Sequence, residues 1–384
     1  MNRLNVAVVS DALYPWHKGG KEIRYFRLLE GLPKLGVDVA VYSMKWWDVD
    51  PEVENFEMGS LAYVGICPRV AMYKKNKRSI FQALLFALST FRLLARKFDV
   101  IEADHMPFLQ LFPLRIVAWL KRVPLVVTWH EVWGRDTWRT YMGPSAIVAA
   151  AIEKVSVRLP DIIVAVSEGT ATKLATIGAR RHRIRVVANS IDLDELFSCR
   201  ASPEAPELLF VGRLLEHKNA NLAIEATRIL VQRGYDVHLG IVGVGPEESR
   251  LKDQVAELGL QNRVNFLSSL ESQHDLWSLI GGSRVLLAPS VREGYGLVVA
   301  ESLALGTPVV CTFHVDNESS SLVGPSTGSL VEPFSAPSLA DAAEHWLNDP
   351  SLRSDRVAAF IAEHRELANE SMVASYAEVL RTIT

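Results

Sequence analysis

The sequence predicts an α/β protein made of two Rossmann-like, doubly wound domains. Short β-branched runs alternate with longer helical segments through both halves of the chain, a pattern typical of parallel sheets covered by helices. The 384 residues, 49% of them apolar, are enough for two or three domains with buried cores. The segment from Phe197 to Pro206 follows neither periodicity and separates the two series. We therefore expect an N-terminal domain over residues 1–198 and a C-terminal domain over residues 199–384.

Each predicted element follows from its apolar pattern and from the turn residues that bound it. In the first half we expect strands near 4–9, 37–42, 99–103, 123–129, 161–166 and 184–188, and helices near 20–35, 79–97, 107–121, 145–158 and 168–177. In the second half we expect strands near 207–211, 237–242, 263–267, 284–288 and 308–312, and helices near 219–233, 246–259, 272–281 and 296–305. The final stretch, 336–380, reads as helical, and Asp349-Pro350 should divide it. We consider that these terminal helices pack back on the first domain.

The charge of the chain is unevenly distributed. Lys and Arg exceed Asp and Glu by eight in residues 1–200, whereas the acidic residues exceed the basic ones by eleven in residues 201–384. A basic half favours an anionic partner such as a phosphate-bearing lipid or sugar donor. No stacking-aromatic or zinc-finger pattern indicates nucleic acid, so we expect none as a partner.

Cysteine usage and the start of the chain indicate a reducing compartment. Cys67, Cys199 and Cys311 are widely spaced and odd in number, which favours neither a disulfide framework nor a thiolate metal site. The first ten residues lack the apolar stretch of a secretory signal, and no run of about 18 apolar residues offers a membrane span. We expect a cytoplasmic protein with no metal site.

The segment 289–310 carries two carboxylates in a loop that follows a predicted strand and opens a helix. Glu293 lies in the loop and Glu301 lies eight residues later in the helix, so the two side chains would reach one pocket from different depths. One can accept hydrogen bonds from sugar hydroxyls, and the deeper one can bind a ribose diol. The first helical amides can hold a phosphate without a metal. The donor-binding residues predicted here are Glu301, Gly294, Tyr295, Gly296 and Leu297.

An alternative interpretation of this segment is purely structural. Each glutamate by itself could be a helix-start charge that the helix dipole favours. The two bending glycines and the exit Gly306-Thr-Pro308 favour the binding interpretation.

Another strand end, 208–219, places Arg213 and Lys218 between a glycine turn and a predicted helix. Two cations at this position can neutralise a diphosphate leaving group, the task that magnesium performs elsewhere. A solvated pair at a helix entrance is the alternative. A third strand end carries Gly243 and Gly245, a glycine turn that is a weak signal by itself.

These motifs resemble those of the family 4 retaining glycosyltransferases of the GT-B fold. The resemblance rests on Val-Gly-Arg-Leu-x3-Lys at 211–218, Val-Gly-x-Gly-Pro at 242–246 and above all the Glu293-x7-Glu301 motif. It extends to Thr128-Trp-His130-Glu and to the paired glycines after the first strand. One departure is Ser190, which stands where family members commonly carry glycine before the hinge.

The resemblance implies two domains facing each other across a cleft, with the donor mainly on the second and the acceptor on the first. It implies that Glu301 binds the ribose, Glu293 the hexose hydroxyls, Arg213 and Lys218 the diphosphate, and that Gly19 and Gly20 offer backbone amides from across the cleft. His130 would lie near the reacting sugar. His105 matches a family histidine less closely, and a structural role for it stays open.

We therefore expect a glycosyltransferase that moves a hexosyl unit from a nucleoside diphosphate sugar to a saccharide or lipid-linked glycan, in cell-surface polysaccharide or glycolipid synthesis. It would retain the anomeric configuration and use no cofactor. Because we find no candidate carboxylate nucleophile, we expect a same-face reaction in which the leaving phosphate helps to deprotonate the acceptor. The alternatives are a nucleotide-sugar epimerase or phosphorylase on the same architecture, and a non-catalytic sugar-nucleotide-binding protein.

Residues 73–98 combine basic residues with two apolar stripes. The first stripe, able to cover a sheet, comprises Ile80, Ala83, Leu84, Ala87, Phe91, Leu94 and Phe98; the second comprises Phe81, Leu85 and Leu88. The flanking basic residues are Lys74, Lys75, Lys77, Arg78, Arg92, Arg96 and Lys97. We favour a crossover helix buried on both sides. The alternative is a peripheral contact with an anionic membrane, at the inner face of the plasma membrane.

Overall fold

The computed structural model describes residues 3–17, 19–47, 55–58, 61–74, 77–267, 270, 272–349, 353–364 and 367–384. The chain forms two compact units. Unit 1 comprises Met1–Ser190 and Asn369–Thr384, and unit 2 comprises Ile191–Ala368. The first division falls eight residues before the boundary at 198/199 that the sequence predicts, so the short helix after residue 192 belongs to unit 2.

Unit 1 contains an eight-stranded sheet of order β10-β9-β8-β7-β1-β2-β4-β3, in which β3 runs antiparallel to β4 and the other described pairs are parallel. Its strands are β1 (Leu4–Val9), β2 (Val37–Met44), β3 (Asn55–Met58), β4 (Leu61–Cys67), β7 (Val100–Asp104), β8 (Leu125–Trp129), β9 (Ile162–Ala165) and β10 (Ile184–Val186). A separate antiparallel pair is formed by β5 (Tyr73–Lys74) and β6 (Lys77–Arg78). The helices are α1 (Gly20–Gly31), α2 (Ile80–Ser89), α3 (Leu111–Lys121), α4 (Gly134–Met142), α5 (Ala146–Ser156), α6 (Glu168–Thr176) and α14 (Asn369–Arg381).

Unit 2 contains a six-stranded parallel sheet of order β13-β12-β11-β14-β15-β16. Its strands are β11 (Leu208–Val211), β12 (Leu239–Val242), β13 (Val264–Leu267), β14 (Val285–Ala288), β15 (Val309–Thr312) and β16 (Gly328–Val331). Its helices are α7 (Leu193–Ser198), α8 (Ala220–Gln232), α9 (Glu248–Glu257), α10 (Gln273–Gly282), α11 (Leu297–Ala304), α12 (Ala336–Asn348) and α13 (Arg353–Glu363).

The predicted α/β class with two doubly wound sheets is confirmed. The break at Asp349 is also confirmed, because α12 ends at Asn348. Sequence patterns missed β3, β4, β16, α4 and α7. The missed strand β16 begins with Gly328, whose absent side chain lets it approach β15: an added Cβ would lie 2.3 Å from the Val309 carbonyl oxygen.

The predicted burial of residues 79–97 on both sides is wrong. In α2 the buried face is formed by Gln82, Ala83, Phe86 and Ala87, whereas Ile80, Phe81, Leu84 and Leu88 are 61%, 68%, 47% and 65% exposed. The helix is short and continues as a 3-10 segment, Thr90–Ala95. One face of α2 is therefore buried in unit 1, and the opposite face is left uncovered. Of the flanking lysines, Lys75 lies outside the described residues, as do the side chains of Lys74 and Lys77.

Each sheet has one point at which the order of the strands reverses. These switch points lie between β7 and β1 in unit 1 and between β11 and β14 in unit 2. Ligands of doubly wound sheets bind beyond the carboxyl ends of the strands at such points. The Gly212 turn follows β11, and the loop 289–296 follows β14, so both predicted motifs of unit 2 lie there.

Candidate active site

The glycine turns after β11 and β12 pack directly on each other. The Gly212 amide donates to the Val242 carbonyl at 3.0 Å. A Cβ added to Gly243, whose φ is 141°, would lie 2.0 Å from the Gly212 carbonyl oxygen, and one added to Gly245 would lie 2.3 Å from that of Leu214. Glycine is therefore required at both positions, because any side chain would separate the two turns.

Lys218 and Glu293 form an ion pair between the loops that follow β11 and β14. Lys218 Nζ contacts Glu293 Oε1, and 20% and 22% of the two side chains remain exposed. The loops are held together by the Val291 amide, which donates to the His217 carbonyl at 3.0 Å. The structure thus places one predicted cation against one predicted carboxylate at the switch point of unit 2.

The surroundings of His217 show how cationic this strand end is. Burial, together with the charges of Arg292, Lys218 and Arg213, lowers the pKa of His217 to about 3. The imidazole is therefore neutral at pH 7, and its Nδ1 lies 3.4 Å from Arg292 Nη2. Three guanidinium or ammonium groups around one loop form a potential that suits a diphosphate. Arg292 was not singled out from the sequence.

Asn317 is a second residue that the sequence analysis missed. It is buried, and its Nδ2 donates to the carbonyl oxygens of Ser290 at 2.9 Å and Thr312 at 2.7 Å. The neighbouring Asp316 carbonyl accepts from the Glu293 amide at 3.0 Å. These bonds hold the backbone of the Glu293 loop. An asparagine in a polar loop carries no periodic signal that could have found it.

The second predicted carboxylate lies deeper than the first. Glu301 is 3% exposed within α11, and Gln273 Nε2 donates to its Oε1 at 3.3 Å. Gly296, the residue before α11, has a φ of 93°, and a Cβ there would lie 2.3 Å from the Cβ of Ser319. The loop can therefore enter α11 only with glycine at this position. Of the other predicted donor-binding residues, Gly294 and Tyr295 lie in this loop and Leu297 is the first residue of α11.

Unit 1 holds a buried charge cluster at its own switch point. Lys21, near the start of α1, contacts Asp104 at the end of β7 and lies 3.6 Å from Asp11, which follows β1. Arg78 pairs with the same Asp11, and Gln82 Nε2 donates to it at 3.1 Å. Although burial opposes ionisation, the Lys21 ammonium holds the pKa of Asp104 well below its usual range. Asp104 is therefore ionised at neutral pH.

The two histidines that the sequence singled out both lie beside this cluster. His105 Nδ1 is 3.1 Å from Asp104 Oδ1, and the ring is 2% exposed and stacked on Trp129 at 5.1 Å. His130 Nε2 lies 3.9 Å from the same carboxylate oxygen, and its side chain is 14% exposed. Burial lowers the pKa of His130 well below its usual value, so this ring is neutral. A neutral imidazole can exchange hydrogen bonds with a sugar hydroxyl.

The predicted glycine pair opens α1. Gly20 is the first residue of the helix and Gly19 is its N-cap. A Cβ on Gly19 would lie 2.4 Å from Glu22 Oε2, so a larger residue would displace that carboxylate. Free amides at a helix start can bind an anionic group.

Among the described residues, no group of three or more His, Cys, Asp or Glu side chains is arranged to hold a metal ion. The helices of the described residues also include none long and apolar enough to cross a bilayer.

Comparison with known proteins places the chain in a class and a family. A doubly wound unit repeated twice is the architecture of the GT-B glycosyltransferases, and the structure superposes on HepE of Anabaena in complex with UDP and glucose with a TM-score of 0.73, 18% identity and coverage of 99% of this chain and 100% of that one. The chain matches the model for Glycosyltransferase Family 4 over residues 18–195 and the model for Glycosyl transferases group 1 over residues 195–361. The chain therefore belongs to the family 4 glycosyltransferases of the GT-B fold.

Curated relatives are matched over part of their length. Alpha-D-kanosaminyltransferase of Streptomyces kanamyceticus is 33% identical over 39% of this chain and 38% of the relative. The putative colanic acid biosynthesis glycosyltransferase WcaL of Escherichia coli is 32% identical over 41% of this chain and 40% of the relative. The chain thus spans about two fifths of these relatives.

Proposed function

We propose that this protein is a retaining glycosyltransferase that moves a hexosyl unit from a nucleoside diphosphate sugar to a saccharide or lipid-linked acceptor. The observation that carries the proposal is the contact between Lys218 and Glu293 at the switch point of unit 2, with Glu301 buried behind the same loop. A solved structure of the same fold contains UDP and glucose, which supports a nucleotide-sugar donor.

Lys218 and Glu293 each bind a different part of the donor in this proposal. The diphosphate competes for the Lys218 ammonium, and this frees the Glu293 carboxylate to accept hydrogen bonds from hexose hydroxyls. Arg213 and Arg292 add positive charge to the same strand end. Glu301, which is more deeply buried, binds the ribose diol.

The chemistry is electrostatic and needs no metal in this proposal. As the bond between the anomeric carbon and the phosphate oxygen breaks, negative charge grows on the diphosphate and positive charge on the sugar ring. The fixed cations stabilise that charge. The acceptor hydroxyl oxygen forms the new bond on the same face, and its proton passes to the departing phosphate oxygen. In unit 1, the amides of Gly19 and Gly20 and the neutral His130 are the groups proposed to bind substrate.

The biological setting proposed is cell-surface polysaccharide or glycolipid synthesis at the cytoplasmic side of a membrane. The name of the WcaL relative, which refers to colanic acid biosynthesis, supports a polysaccharide product. The uncovered apolar face of α2, with Phe81 and Leu88 about two thirds exposed, supports a peripheral membrane contact through residues 73–98. We place the acceptor accordingly among lipid-linked glycans or membrane saccharides.

The donor site is tested by substitution of its charged pair. UDP, GDP and ADP sugars are first screened for thermal stabilisation, and release of the nucleoside diphosphate is then measured with and without acceptors. We expect Lys218→Met and Glu293→Gln each to lower kcat/KM about 100-fold, as loss of a group that stabilises transition-state charge does. The matched control is Lys252→Met, which breaks the exposed pair with Glu248 in the same unit and should leave turnover unchanged.

Four outcomes would contradict the proposal. Unchanged turnover in both site variants would remove the pair from the reaction. Tight binding of nucleotide sugars with no turnover on any acceptor would favour a binding protein. Loss of activity in the presence of a chelator would overturn the metal-free part of the proposal. An inverted anomeric configuration in the product, measured by NMR, would overturn the retaining part.

A further inference from the structure

Unit 1 has a second concave site that the proposed reaction does not use. A cavity of about 460 Å³ is lined by Arg115, Ile116, Trp119, Arg158, Leu159, Asp161 and Arg183. We call it the arginine pocket. It lies at the amino ends of strands, because the Leu125 amide at the start of β8 donates to Asp161 Oδ2 at 2.9 Å and Arg183 directly precedes β10. The Asp104 cluster lies at the opposite, carboxyl ends of the strands.

The lining of the arginine pocket is strongly cationic. Three guanidinium groups come from three elements: α3, the turn after α5 and the 3-10 turn before β10. The single carboxylate in the lining, Asp161, accepts from Arg115 Nη1 at 2.7 Å. Arg183 Nη1 donates to the Pro160 carbonyl at 3.1 Å, and the Arg158 guanidinium has no hydrogen bond or ion pair with the part of the chain that the structure describes. Each guanidinium carries five donor hydrogens, so donors remain for a ligand anion.

An apolar rim stands beside these cations. Trp119 is 71% exposed, Leu120 53% and Ile116 47%, and Ile116 and Trp119 are one turn apart on α3. The end of α3 adjoins the segment after α2, because Lys121 Nζ donates to the Leu94 carbonyl at 3.2 Å. Exposed tryptophan next to basic side chains is typical of a surface at the boundary between lipid headgroups and acyl chains.

We infer that the arginine pocket binds the phosphate of an anionic phospholipid at a membrane surface, with Trp119 and Ile116 inserted among the lipids around it. Arg158 and Arg183 contact the phosphate oxygens, and Arg115 is oriented by Asp161. A soluble phosphate compound would match the three guanidinium groups but leave the apolar rim in water. The inference rests on the proposed peripheral membrane contact and names the lipid group that is bound.

The test is vesicle binding by the full chain. Co-sedimentation is measured with phosphatidylcholine vesicles with and without phosphatidylglycerol, for the unmodified protein, Arg158→Gln/Arg183→Gln and Trp119→Ser. We expect the double arginine variant to bind phosphatidylglycerol vesicles at least about tenfold more weakly, since each basic residue at an anionic surface contributes measurably. The control is Arg250→Gln/Lys252→Gln, which removes the same charge from an exposed face of unit 2 and should bind as the unmodified chain does.

The outcomes separate the pocket from the proposed function. Unchanged vesicle binding by the double arginine variant, or an equal loss in the unit 2 control, would overturn the pocket while the proposed membrane contact stands. Binding of inorganic phosphate by calorimetry without any preference for anionic vesicles would assign the pocket to a soluble ligand and overturn the lipid inference. Absence of vesicle binding by the unmodified chain would overturn both membrane statements, and donor turnover measured in parallel would still report on the transferase. Thermal unfolding of each variant checks that it is folded.

Discussion

At the scale of single residues, Glu102 is the buried acid whose environment is most informative. It is 1% exposed in the middle of β7, and its Oε1 accepts hydrogen bonds from Tyr25 Oη at 2.8 Å, Thr128 Oγ1 at 2.7 Å and Tyr376 Oη at 2.8 Å. Burial nevertheless outweighs these three bonds and raises the pKa of Glu102 from 4.5 to about 7. The carboxyl group therefore connects α1, β8 and α14 to β7 through hydrogen bonds. Its ionisation in the folded chain costs free energy.

That raised pKa predicts a specific pH dependence of stability. Between about pH 4.5 and pH 7 the folded chain holds a proton on Glu102 that the unfolded chain has lost, so the free energy of unfolding falls as pH rises through this window. The shift corresponds to about 3 kcal/mol at most. Glu102→Gln should remove this term, so its unfolding free energy, measured with urea at about pH 5 and pH 8, should change less than that of the unmodified chain.

The control for this prediction is Glu378→Gln, an exposed glutamate on α14. We expect it to leave the pH dependence as in the unmodified chain. Equal pH dependence in Glu102→Gln and the unmodified chain would show that Glu102 ionises in the folded state as freely as in water.

At the scale of elements, α2 is a short helix with one buried face and one exposed apolar face. Gln82 and Phe86 are fully buried against unit 1, whereas Phe81 and Leu88 project on the other side. Residues seven apart on a helix lie on one face, so the two exposed side chains form a single apolar edge. An edge of this kind is costly in water unless a partner covers it.

The exposed edge of α2 predicts an apolar contribution to membrane binding. Phe81→Ser/Leu88→Ser should weaken binding to anionic vesicles by at least about tenfold, because burial of one large apolar side chain contributes about 1.5–3 kcal/mol. The loss should persist at high salt, where electrostatic attraction is screened.

The matched control for α2 is Phe313→Ser, which removes an exposed aromatic side chain from unit 2, where Phe313 is 66% exposed. It should bind vesicles as the unmodified chain does. Vesicle affinity that is the same with and without Phe81 and Leu88 would exclude α2 from the contact.

At the scale of the whole molecule, α14 completes the core of unit 1 although it follows unit 2 in the sequence. After unit 2, α14 returns to pack on α1, and Met372, Val373, Tyr376 and Leu380 enter the core of unit 1. Gly31 at the end of α1 marks how close the two helices are, because a Cβ there would lie 2.6 Å from Val373 Cγ2. The fold of the first half therefore depends on the end of the chain.

This contact predicts a coupled pair of substitutions. Gly31→Ala should destabilise the protein by about 1–3 kcal/mol through overpacking against Val373. Val373→Ala removes the opposing methyl groups, so the double variant should be more stable than the sum of the two single effects by about 1 kcal/mol. Thermal or urea unfolding measures all three, with Gly324→Ala in unit 2 as a control, since a Cβ there meets nothing closer than 3.4 Å. Strictly additive changes in the free energy of unfolding would show that α1 and α14 can move apart without cost, and would contradict the prediction.

Much of the fold was predictable because its signals are local. The buried strands β1 and β8 are apolar except for Asn5 and Thr128, and the glycine turns after β11 and β12 are recognisable from a few consecutive residues. In contrast, β4 and β16 were missed. Each contains a glycine, Gly65 in β4 and Gly328 in β16, and a strand with glycine in it has a weak strand signal and is stabilised by its neighbours in the sheet. The exposure of α2 could not be read from the sequence either, because two apolar stripes fit a buried helix and a surface helix equally well.

By itself the sequence determined the α/β class, the two doubly wound series and the strand ends that carry Glu293, Lys218 and His130, because those features depend on neighbours a few residues apart. Only the tertiary structure decided which of these groups meet. Lys218 and Glu293 are 75 residues apart in the sequence, Lys21 and Asp104 are 83 residues apart, and Tyr376 and Glu102 are 274 residues apart. Such contacts arise from the order of strands in a sheet and the return of the chain to it, which no local pattern encodes.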